Sequence, residues 1–251
     1  MTKTIVTVAA CAALLWIGTA QAAGTAQQKC QQAKLKAQGK LQACLKKTAA
    51  GVIGGKVDAS ADCRTKFQAA LTKADATATR AATSCRYIDN GDGTVSDLNT
   101  GLQWEKKVDI GVCTPYAECA IHDKEDTPAW SNGGGVPDGE AFTYFLGTLN
   151  GGTSSDGTDT PTPCFTGHCD WRLPTVQELA GILDLTRGSC GGGNGPCIDP
   201  AFGPTQANFY WSATTYAGYP NFAWLVVFYD GLVVNFDKTN TIYVRAVRGG
   251  L

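Results

Sequence analysis

The sequence predicts an α+β protein in which a disulfide-linked helical hairpin precedes a domain of short strands, helices and long loops. The 251-residue chain changes character near residue 85. Residues 23–85 contain a single aromatic residue, Phe67, whereas all eight Tyr and all ten Pro lie in residues 86–251. Apolar residues recur at helical spacing before residue 85, and short β-type runs separated by glycine-containing turns follow it. We therefore divide the chain into residues 1–22, 23–85 and 86–251.

Residues 1–22 have the pattern of a secretory signal peptide. Lys3 precedes an apolar run from Ile5 to Gly18, and Ala20 and Ala22 occupy the −3 and −1 positions of a cleavage site. The apolar run is shorter than the roughly 20 residues of a membrane span. We expect cleavage after Ala22, no transmembrane segment in the mature chain, and a secreted, periplasmic or cell-surface bacterial protein. A membrane anchor is the less favoured interpretation.

Two cysteine-bounded stripes predict the helical hairpin. The first stripe runs from Cys30 through Leu41 to Thr48, and the second from Cys63 through Phe67 to Cys85, each at spacings of three and four residues. Glycines at 51, 54 and 55 mark the turn, and Asp58 or Ser60 is expected to cap the second helix. The spans are unequal, so we expect Cys85 to lie beyond the regular helix.

The mature chain has ten cysteines, an even number that predicts five disulfides in an exported protein. Nested pairing of Cys44 with Cys63 and of Cys30 with Cys85 would join the two helices. The other six are sequence neighbours, for which local pairing is the simplest connectivity: Cys113 with Cys119, Cys164 with Cys169, and Cys190 with Cys197. Cross-pairing of the first two of these couples is the alternative.

The net charge of −1 conceals a basic hairpin and an acidic domain. Residues 23–85 hold 11 bases and 3 acids, a charge of 11 − 3 = +8, whereas residues 86–251 hold 9 bases and 19 acids, a charge of 9 − 19 = −10. We predict no nucleic-acid partner. The lysine-rich face of the hairpin is interpreted as a solvated helix face, and a patch for anionic glycans or lipid headgroups is the alternative.

In residues 86–251 the sequence predicts short strands and two helices. We predict a hairpin around Asn90–Gly93, one helix from Glu140 to Leu149, and another from the capping box of Thr175 and Glu178 to about Leu185. Further strands are predicted at Phe209–Ser212, Ala223–Tyr229, Leu232–Phe236 and Ile242–Val247, with Asp230-Gly231 as a hairpin turn.

Six segments in this half form a recognisable set: Tyr87–Val95, Thr100–Trp104, Asp170–Leu179, Tyr210–Thr214, Ala223–Trp224 and Val244–Arg248. In this order they resemble the Lcl C-terminal domain family, named for a collagen-like bacterial surface adhesin. They resemble, more distantly, the formylglycine-generating-enzyme branch of the C-type-lectin-like fold. The resemblance implies a C-type-lectin-like domain with a twisted antiparallel sheet. The motif residues are interpreted as fold determinants: Asp170, Trp171, Arg172, Pro174, Thr175, Glu178, Trp211, Arg245 and Arg248.

Catalytic chemistry does not carry over from that resemblance. Formylglycine-generating enzymes need a cysteine pair near the C-terminal strand, and no cysteine follows Cys197 here. We therefore predict a protein that is not an enzyme, with an unrecognised active site as an alternative.

No metal site or cofactor is predicted. A set of His122, Asp123, Asp126, His168 and Asp170 is a weak transition-metal candidate. Asp89–Gly93 fails the EF-hand pattern because Gly91 and Gly93 stand where oxygen ligands are needed. Calcium binding by loops is an alternative, because residues 86–251 contain 19 acidic residues.

In relatives of this fold, ligands are held by residues from the last strands and their loops. The matching stretch, residues 213–240, offers aromatic, amide and charged groups suited to a sugar or peptide: Tyr216, Tyr219, Asn221, Asp230, Asp237, Lys238 and Asn240. We expect a recognition protein that resembles adhesins and binds a glycan or an extracellular or envelope protein. Docking through the hairpin as a structural envelope protein is the alternative. The adhesin for which the family is named is associated with sulfated glycosaminoglycans. The net charge of −10 on residues 86–251 disfavours such an anionic ligand here.

Overall fold

The computed structural model describes residues 25–54, 58–80, 85–111, 121–152, 163–188, 190–192 and 195–249. The signal-peptide prediction and the predicted Cys113–Cys119 pair lie outside these residues. The helices are α1 (Ala26–Ile53), α2 (Ser60–Arg80), α3 (Gly147–Leu149) and α4 (Val176–Gly181). The strands are β1 (Tyr87–Asp89), β2 (Thr94–Asp97), β3 (Leu102–Glu105), β4 (Phe209–Thr215), β5 (Phe222–Val227), β6 (Val233–Asp237) and β7 (Val247–Gly249). The chain is therefore an α+β protein with antiparallel sheets.

The predicted helical hairpin is present. Thr25 caps α1, because its Oγ1 accepts a hydrogen bond from the Gln28 amide. Phe67 and Leu71 of α2 pack against Ala37 of α1. The disulfides Cys44–Cys63 and Cys30–Cys85 join the helices, and Cys85 lies beyond the end of α2, as predicted. Because the stripe is mostly alanine, the core between the helices is small and the disulfides supply part of its stability, about 2–4 kcal/mol each.

One face of α1 docks onto the loops of the C-terminal half. Gln31 donates to the Tyr87 carbonyl and Gln38 to the Leu98 carbonyl, both at 3.1 Å. Lys34, fully buried, donates to Asn99 Oδ1 at 2.6 Å and forms an ion pair with Asp75 of α2. Polar side chains at helical spacing thus form the docking face. Lys34 does not belong to the solvated lysine face of the sequence interpretation, because Asn99 Oδ1 and the Asp75 carboxylate replace water around its Nζ.

Two antiparallel sheets form the C-terminal half, where the sequence analysis expects one. The first has the order β1-β2-β3-β7 and the second β4-β5-β6. Phe222 pairs with Asp237 and Val226 with Val233, which fixes the register of β5 and β6. The segment before β7 links the sheets, because Tyr243 bridges to Tyr210 of β4 and its carbonyl accepts from the Trp211 amide at 2.9 Å.

The second sheet is buried on both faces over much of its length. Trp211, Leu225 and Val227 face one hydrophobic cluster that includes Trp130 and Phe145. The alternate residues face another cluster, formed with the first sheet and α4, whose fully buried members include Trp104, Phe202, Tyr210, Val226 and Phe228. The aromatic residues after position 86 therefore contribute much of the core, whereas the start of β5 and the strand β6 keep partly exposed side chains.

Three predicted elements differ from the observed ones. Six residues of the helix predicted at Glu140–Leu149 form a π-helical segment, Ala141–Leu146, before α3. Helix α4 ends at Gly181 rather than near Leu185, because Leu183 bridges to Ile198. The predicted strand Ile242–Val247 is regular only from Val247, and before it Tyr243 forms an isolated bridge to Tyr210.

Local disulfide pairing is confirmed for two of the three remaining couples. Cys164 bonds to Cys169 and Cys190 to Cys197. In the part of the chain that the structure describes, no helix combines the length and the apolar character needed to cross a bilayer.

Candidate ligand-binding site

The predicted ligand residues that the structure brings together lie where β5 begins and β6 ends. The connection from β4 to β5, residues 216–221, folds back on β5 through a 2.8 Å bond from the Tyr216 amide to the Phe222 carbonyl. The Lys238 amide donates to the Asn221 carbonyl at 2.9 Å. Antiparallel pairing of β5 and β6 therefore sets Tyr216, Tyr219 and Asn221 beside Asp237 and Asn240.

Four aromatic rings form a chain along this end of the sheet. Ring centroids of Tyr216 and Tyr219 are 6.0 Å apart, and Tyr216 packs edge-on against Trp224 at 5.1 Å. Tyr219 also approaches Phe222 at 6.0 Å. Tyr219 is 64% exposed, and Phe222 and Trp224 are half-buried. Such rings offer apolar faces held by their neighbours rather than by the ligand.

Amide and carboxylate groups border the rings. Asn221 Nδ2 donates to Asp237 Oδ2 at 3.2 Å. Asp237 Oδ1 accepts from the Thr239 amide at 2.9 Å and from its hydroxyl at 2.7 Å, and these bonds hold the pKa of the carboxyl below its ordinary value. Asn240 Nδ2 donates to the Asp237 carbonyl at 3.0 Å. An ionised carboxylate thus stands next to exposed tyrosines.

Lys238 does not belong to this surface, which corrects the sequence interpretation. Its side chain is buried, with Nζ lying 3.8 Å from the Trp130 ring centroid. Nζ donates to the Pro220 carbonyl at 2.7 Å and to Thr215 Oγ1 at 3.0 Å, and burial lowers its pKa. Lys238 therefore anchors the loop that carries the tyrosines from beneath.

Asp230 is also separated from the other candidates. It lies in the turn between β5 and β6, at the opposite end of the pair from Asp237, and its Oδ1 accepts from the Leu232 amide at 3.0 Å.

Conversely, sequence reasoning missed Phe222 and Trp224. The signal was available, because alternate residues of a strand share a face, but it could not show which face stays exposed.

The motif residues make internal contacts. Arg172 forms a two-bond pair with Glu178 at 2.7 and 2.8 Å, next to the capping box of Thr175 and Glu178. Arg245 donates from the interior to the carbonyls of Glu105 and Phe202. The remaining contacts join Asp170 to Arg248, Trp171 Nε1 to the Phe165 carbonyl, and the Ala213 amide to the Pro174 carbonyl, while Trp211 is fully buried.

A group of ionisable residues surrounds the buried Glu105, the last residue of β3. Glu105 Oε1 is 2.9 Å from both Lys107 Nζ and His122 Nδ1. Burial raises the pKa of Glu105, but Lys107, His122 and Arg245 outweigh it and hold the pKa at about 2. Burial raises the pKa of Asp126 to about 7, and neither carboxyl oxygen of Asp126 has a hydrogen-bond partner among the described residues. Glu105, Lys107 and Asp126 are buried, whereas Tyr219 is exposed.

Metal ligation has little geometric support in the described residues. There, the only three ligand-type side chains whose donor atoms lie within 4.8 Å of one another are Cys30, Asp75 and Cys85. The two cysteines form a disulfide, so their sulfurs are not thiolates. In the Asp89–Gly93 turn, Asp89 pairs with Lys106 and Asp92 accepts from the Thr94 amide, as a hairpin turn requires.

Comparison with known proteins identifies one family. The model of the Lcl C-terminal domain matches residues 93–248, more than half of the chain. Neither the curated proteins nor the solved structures contain a match. The matched range includes strands β2 to β6, the capping box and the whole tyrosine-bearing loop. The chain therefore belongs to the Lcl C-terminal domain family.

Proposed function

We propose that this is an exported, non-enzymatic recognition protein of the bacterial cell surface or periplasm, and that it binds a glycan through the β4–β5 loop. In this proposal residues 86–251 are a C-type-lectin-like domain. Backbone hydrogen bonds hold the loop against β5 and the end of β6, and a recognition site benefits from such support because less ordering is needed on binding. An extracellular or envelope protein is the other ligand class that this site could serve.

The observation that carries the proposal is the row of partly exposed aromatic rings bordered by Asn221 and Asp237. Aromatic faces pack against the C–H faces of sugar rings, and amides and carboxylates hydrogen-bond to sugar hydroxyls. The Asp237 carboxylate, with its lowered pKa, accepts hydrogen bonds over the whole physiological pH range. Both types of group lie on one connected surface, because Phe222 pairs directly with Asp237.

Charge indicates the kind of glycan. The half that carries the site has a net charge of 9 − 19 = −10. The base nearest to it in sequence, Lys238, is buried beneath the loop. A polyanionic chain would be repelled. We therefore propose a neutral glycan.

Export is supported by the disulfides. Four are present in the described residues, two in the hairpin and two in loops of the second half. Disulfides persist in oxidising compartments such as the periplasm and the cell exterior. The non-enzymatic part of the proposal is supported by the enclosure of Glu105, Lys107 and Asp126, each at most 2% exposed.

The experiment is a glycan and matrix-protein array probed with the oxidised chain 23–251, with and without EDTA and at low and high salt. We expect binding to neutral glycans that survives high salt. EDTA sensitivity would add loop-bound calcium to the site. Binding to matrix proteins alone would replace the glycan with a protein ligand, and silence on both arrays would contradict the recognition proposal.

A second candidate function, docking to an envelope assembly, rests on the groove between α1 and α2. Two adjoining depressions of about 290 and 320 Å³ share Ala37, Lys40 and Ala70. Lys36, Lys66 and Lys73 also line them. An acidic segment of an envelope protein would fit an alanine floor with a lysine rim. Replacing Lys36, Lys40 and Lys73 by Gln should then release the folded protein from the envelope fraction, whereas unchanged fractionation would exclude this function.

A further inference from the structure

The outer edge of β6 has backbone groups that nothing in the described structure covers. The sheet order β4-β5-β6 places β6 at an edge. The Val227 amide donates to the Leu232 carbonyl and the Lys238 amide to the Asn221 carbonyl, so even-numbered residues of β6 bond to β5. In an antiparallel ladder the intervening residues direct their N–H and C=O groups away from the partner. Within the described residues, the outward backbone groups of Val233 and Asn235 therefore have no partner strand.

A mostly apolar pocket adjoins this edge. It has a volume of about 520 Å³ and is lined by Phe209, Leu225, Val234, Phe236 and Ile242 together with Asn240. Phe209 and Phe236 remain 38% and 49% exposed. A strand added beside β6 would place every second side chain on the face that carries Val234 and Phe236. The edge can thus bind a backbone while the pocket binds an apolar side chain.

The charges near the β6 edge indicate which kind of segment binds there. From Asn221 to Val244 the sequence contains two carboxylates, Asp230 and Asp237, one at each end of β6, and one base, the buried Lys238. A second copy pairing edge to edge would bring together two halves of charge −10, which repel each other. A basic extended segment of another protein is attracted instead.

We propose that the β6 edge and its pocket bind an extended basic peptide segment of a partner protein by strand addition, with an apolar side chain of that segment in the pocket. This mode gives affinity through main-chain hydrogen bonds and specificity through alternate side chains. It also explains why an edge strand carries Val233 and Phe236 at the surface, an arrangement that otherwise invites aggregation. The site lies on the opposite face of the sheet from Phe222 and Trp224, so it does not depend on the proposed glycan function.

The test uses a fluorescein-labelled nine-residue peptide of alternating Lys and Val, with anisotropy measured on the full mature chain. Asn235→Pro removes one outward N–H that β5 does not use, and Asn235→Ala is the matched control that keeps it. We expect Asn235→Pro to weaken binding at least tenfold and Asn235→Ala less than twofold. A peptide with Glu in place of Lys should bind at least tenfold more weakly.

Equal affinities of the Pro and Ala variants would overturn the proposal, as would equal binding of the Glu peptide. Dimerisation of the chain that Asn235→Pro abolishes would also overturn it, because the edge would then bind a second copy. If circular dichroism shows that Asn235→Pro is unfolded, the wild-type chain is titrated with the Lys/Val peptide N-methylated at alternate residues. Methylation of the peptide amides that face β6 should weaken binding by the same factor of at least ten. Undiminished binding of the methylated peptide would refute strand addition.

Discussion

The side-chain amide of Asn221 donates a 3.2 Å hydrogen bond to the Asp237 carboxylate, and this bond joins the β4–β5 loop to the end of β6. It lies directly beside the Phe222–Asp237 backbone pair. The loop is also held from beneath by Lys238, which donates to the Pro220 carbonyl. The surface that carries Tyr216 and Tyr219 is thus positioned by three contacts to one strand end.

Replacing Tyr219 by Ala should weaken glycan binding about tenfold without unfolding the protein. The ring is 64% exposed, so its loss removes contact area for a ligand but little buried core. Isothermal titration with a glycan selected on the array measures the effect. Tyr229→Ala, a partly exposed tyrosine at the other end of β5, is the matched control and should bind normally. Equal losses in both variants would argue against this loop as the site.

Lys238→Met should destabilise the fold by about 1–2 kcal/mol, because two part-buried acceptors lose their donor. The carbonyl of Pro220 and the hydroxyl of Thr215 would both be left without Nζ. Urea unfolding gives the free energy. Lys66→Met, an exposed lysine of α2, should leave the free energy of unfolding almost unchanged. A stability of Lys238→Met equal to that of the wild type would contradict the role of Lys238 as an anchor.

Asp126 should make the folded state less stable as pH rises. The unfolded carboxyl ionises near pKa 3.8, whereas burial raises the pKa of the folded group to about 7. Protonated Asp126 therefore contributes its full stabilisation of the folded state below about pH 4, and this contribution is lost as pH rises through 7.

Asp126→Asn keeps a neutral side chain and should remove this pH dependence. Its free energy of unfolding should match the wild type near pH 4 and exceed it at pH 8 by up to about 4 kcal/mol. Asp230→Asn controls for the loss of one negative charge. Parallel stability curves of Asp126→Asn and the wild type from pH 4 to 8 would show that the carboxyl is not buried as described.

Lys34→Ala should loosen the hairpin from the C-terminal half. Lys34 is fully buried between Asp75 of α2 and Asn99 of the β2–β3 turn. Its removal takes away the hydrogen bond to Asn99 and the ion pair with Asp75, at a cost of about 1–2 kcal/mol, because the half-exposed Asp75 carboxylate can be solvated instead. Lys36→Ala, an exposed neighbour on α1, is the control. Hydrogen exchange at the Leu98 and Asn99 amides should accelerate only in Lys34→Ala, and unchanged exchange would mean that the docking face does not depend on this lysine.

Features set by short-range sequence could be predicted. The stripes that contain Cys30, Cys44, Cys63 and Cys85 predicted the hairpin and both of its disulfides, because helical spacing determines which side chains meet. The Thr175 and Glu178 capping box is local by nature, and it is present at the start of α4. The Asn90–Gly93 turn follows from its glycines, and both Gly91 and Gly93 have positive φ.

Features set by tertiary contact could not be predicted. Lys238 and Lys34 have the sequence appearance of surface residues, and only the carbonyls and carboxylates brought to them by distant segments make their burial tolerable. Asp230 and Asp237 look equivalent in sequence, but the β5–β6 register places them at opposite ends of the strand pair. Phe222 and Trp224 were missed because strand alternation does not say which face of a sheet is covered.

The measurement that tests the account most directly is a chemical-shift map of the ¹⁵N-labelled mature chain titrated with an array-selected neutral glycan. We predict that the largest shifts fall on residues 216–224 and 237–240 and include the half-buried indole N–H of Trp224, while the buried indole of Trp130 responds little. Shifts concentrated on α1 and α2, with the Trp224 indole unmoved, would contradict recognition by the β4–β5 loop.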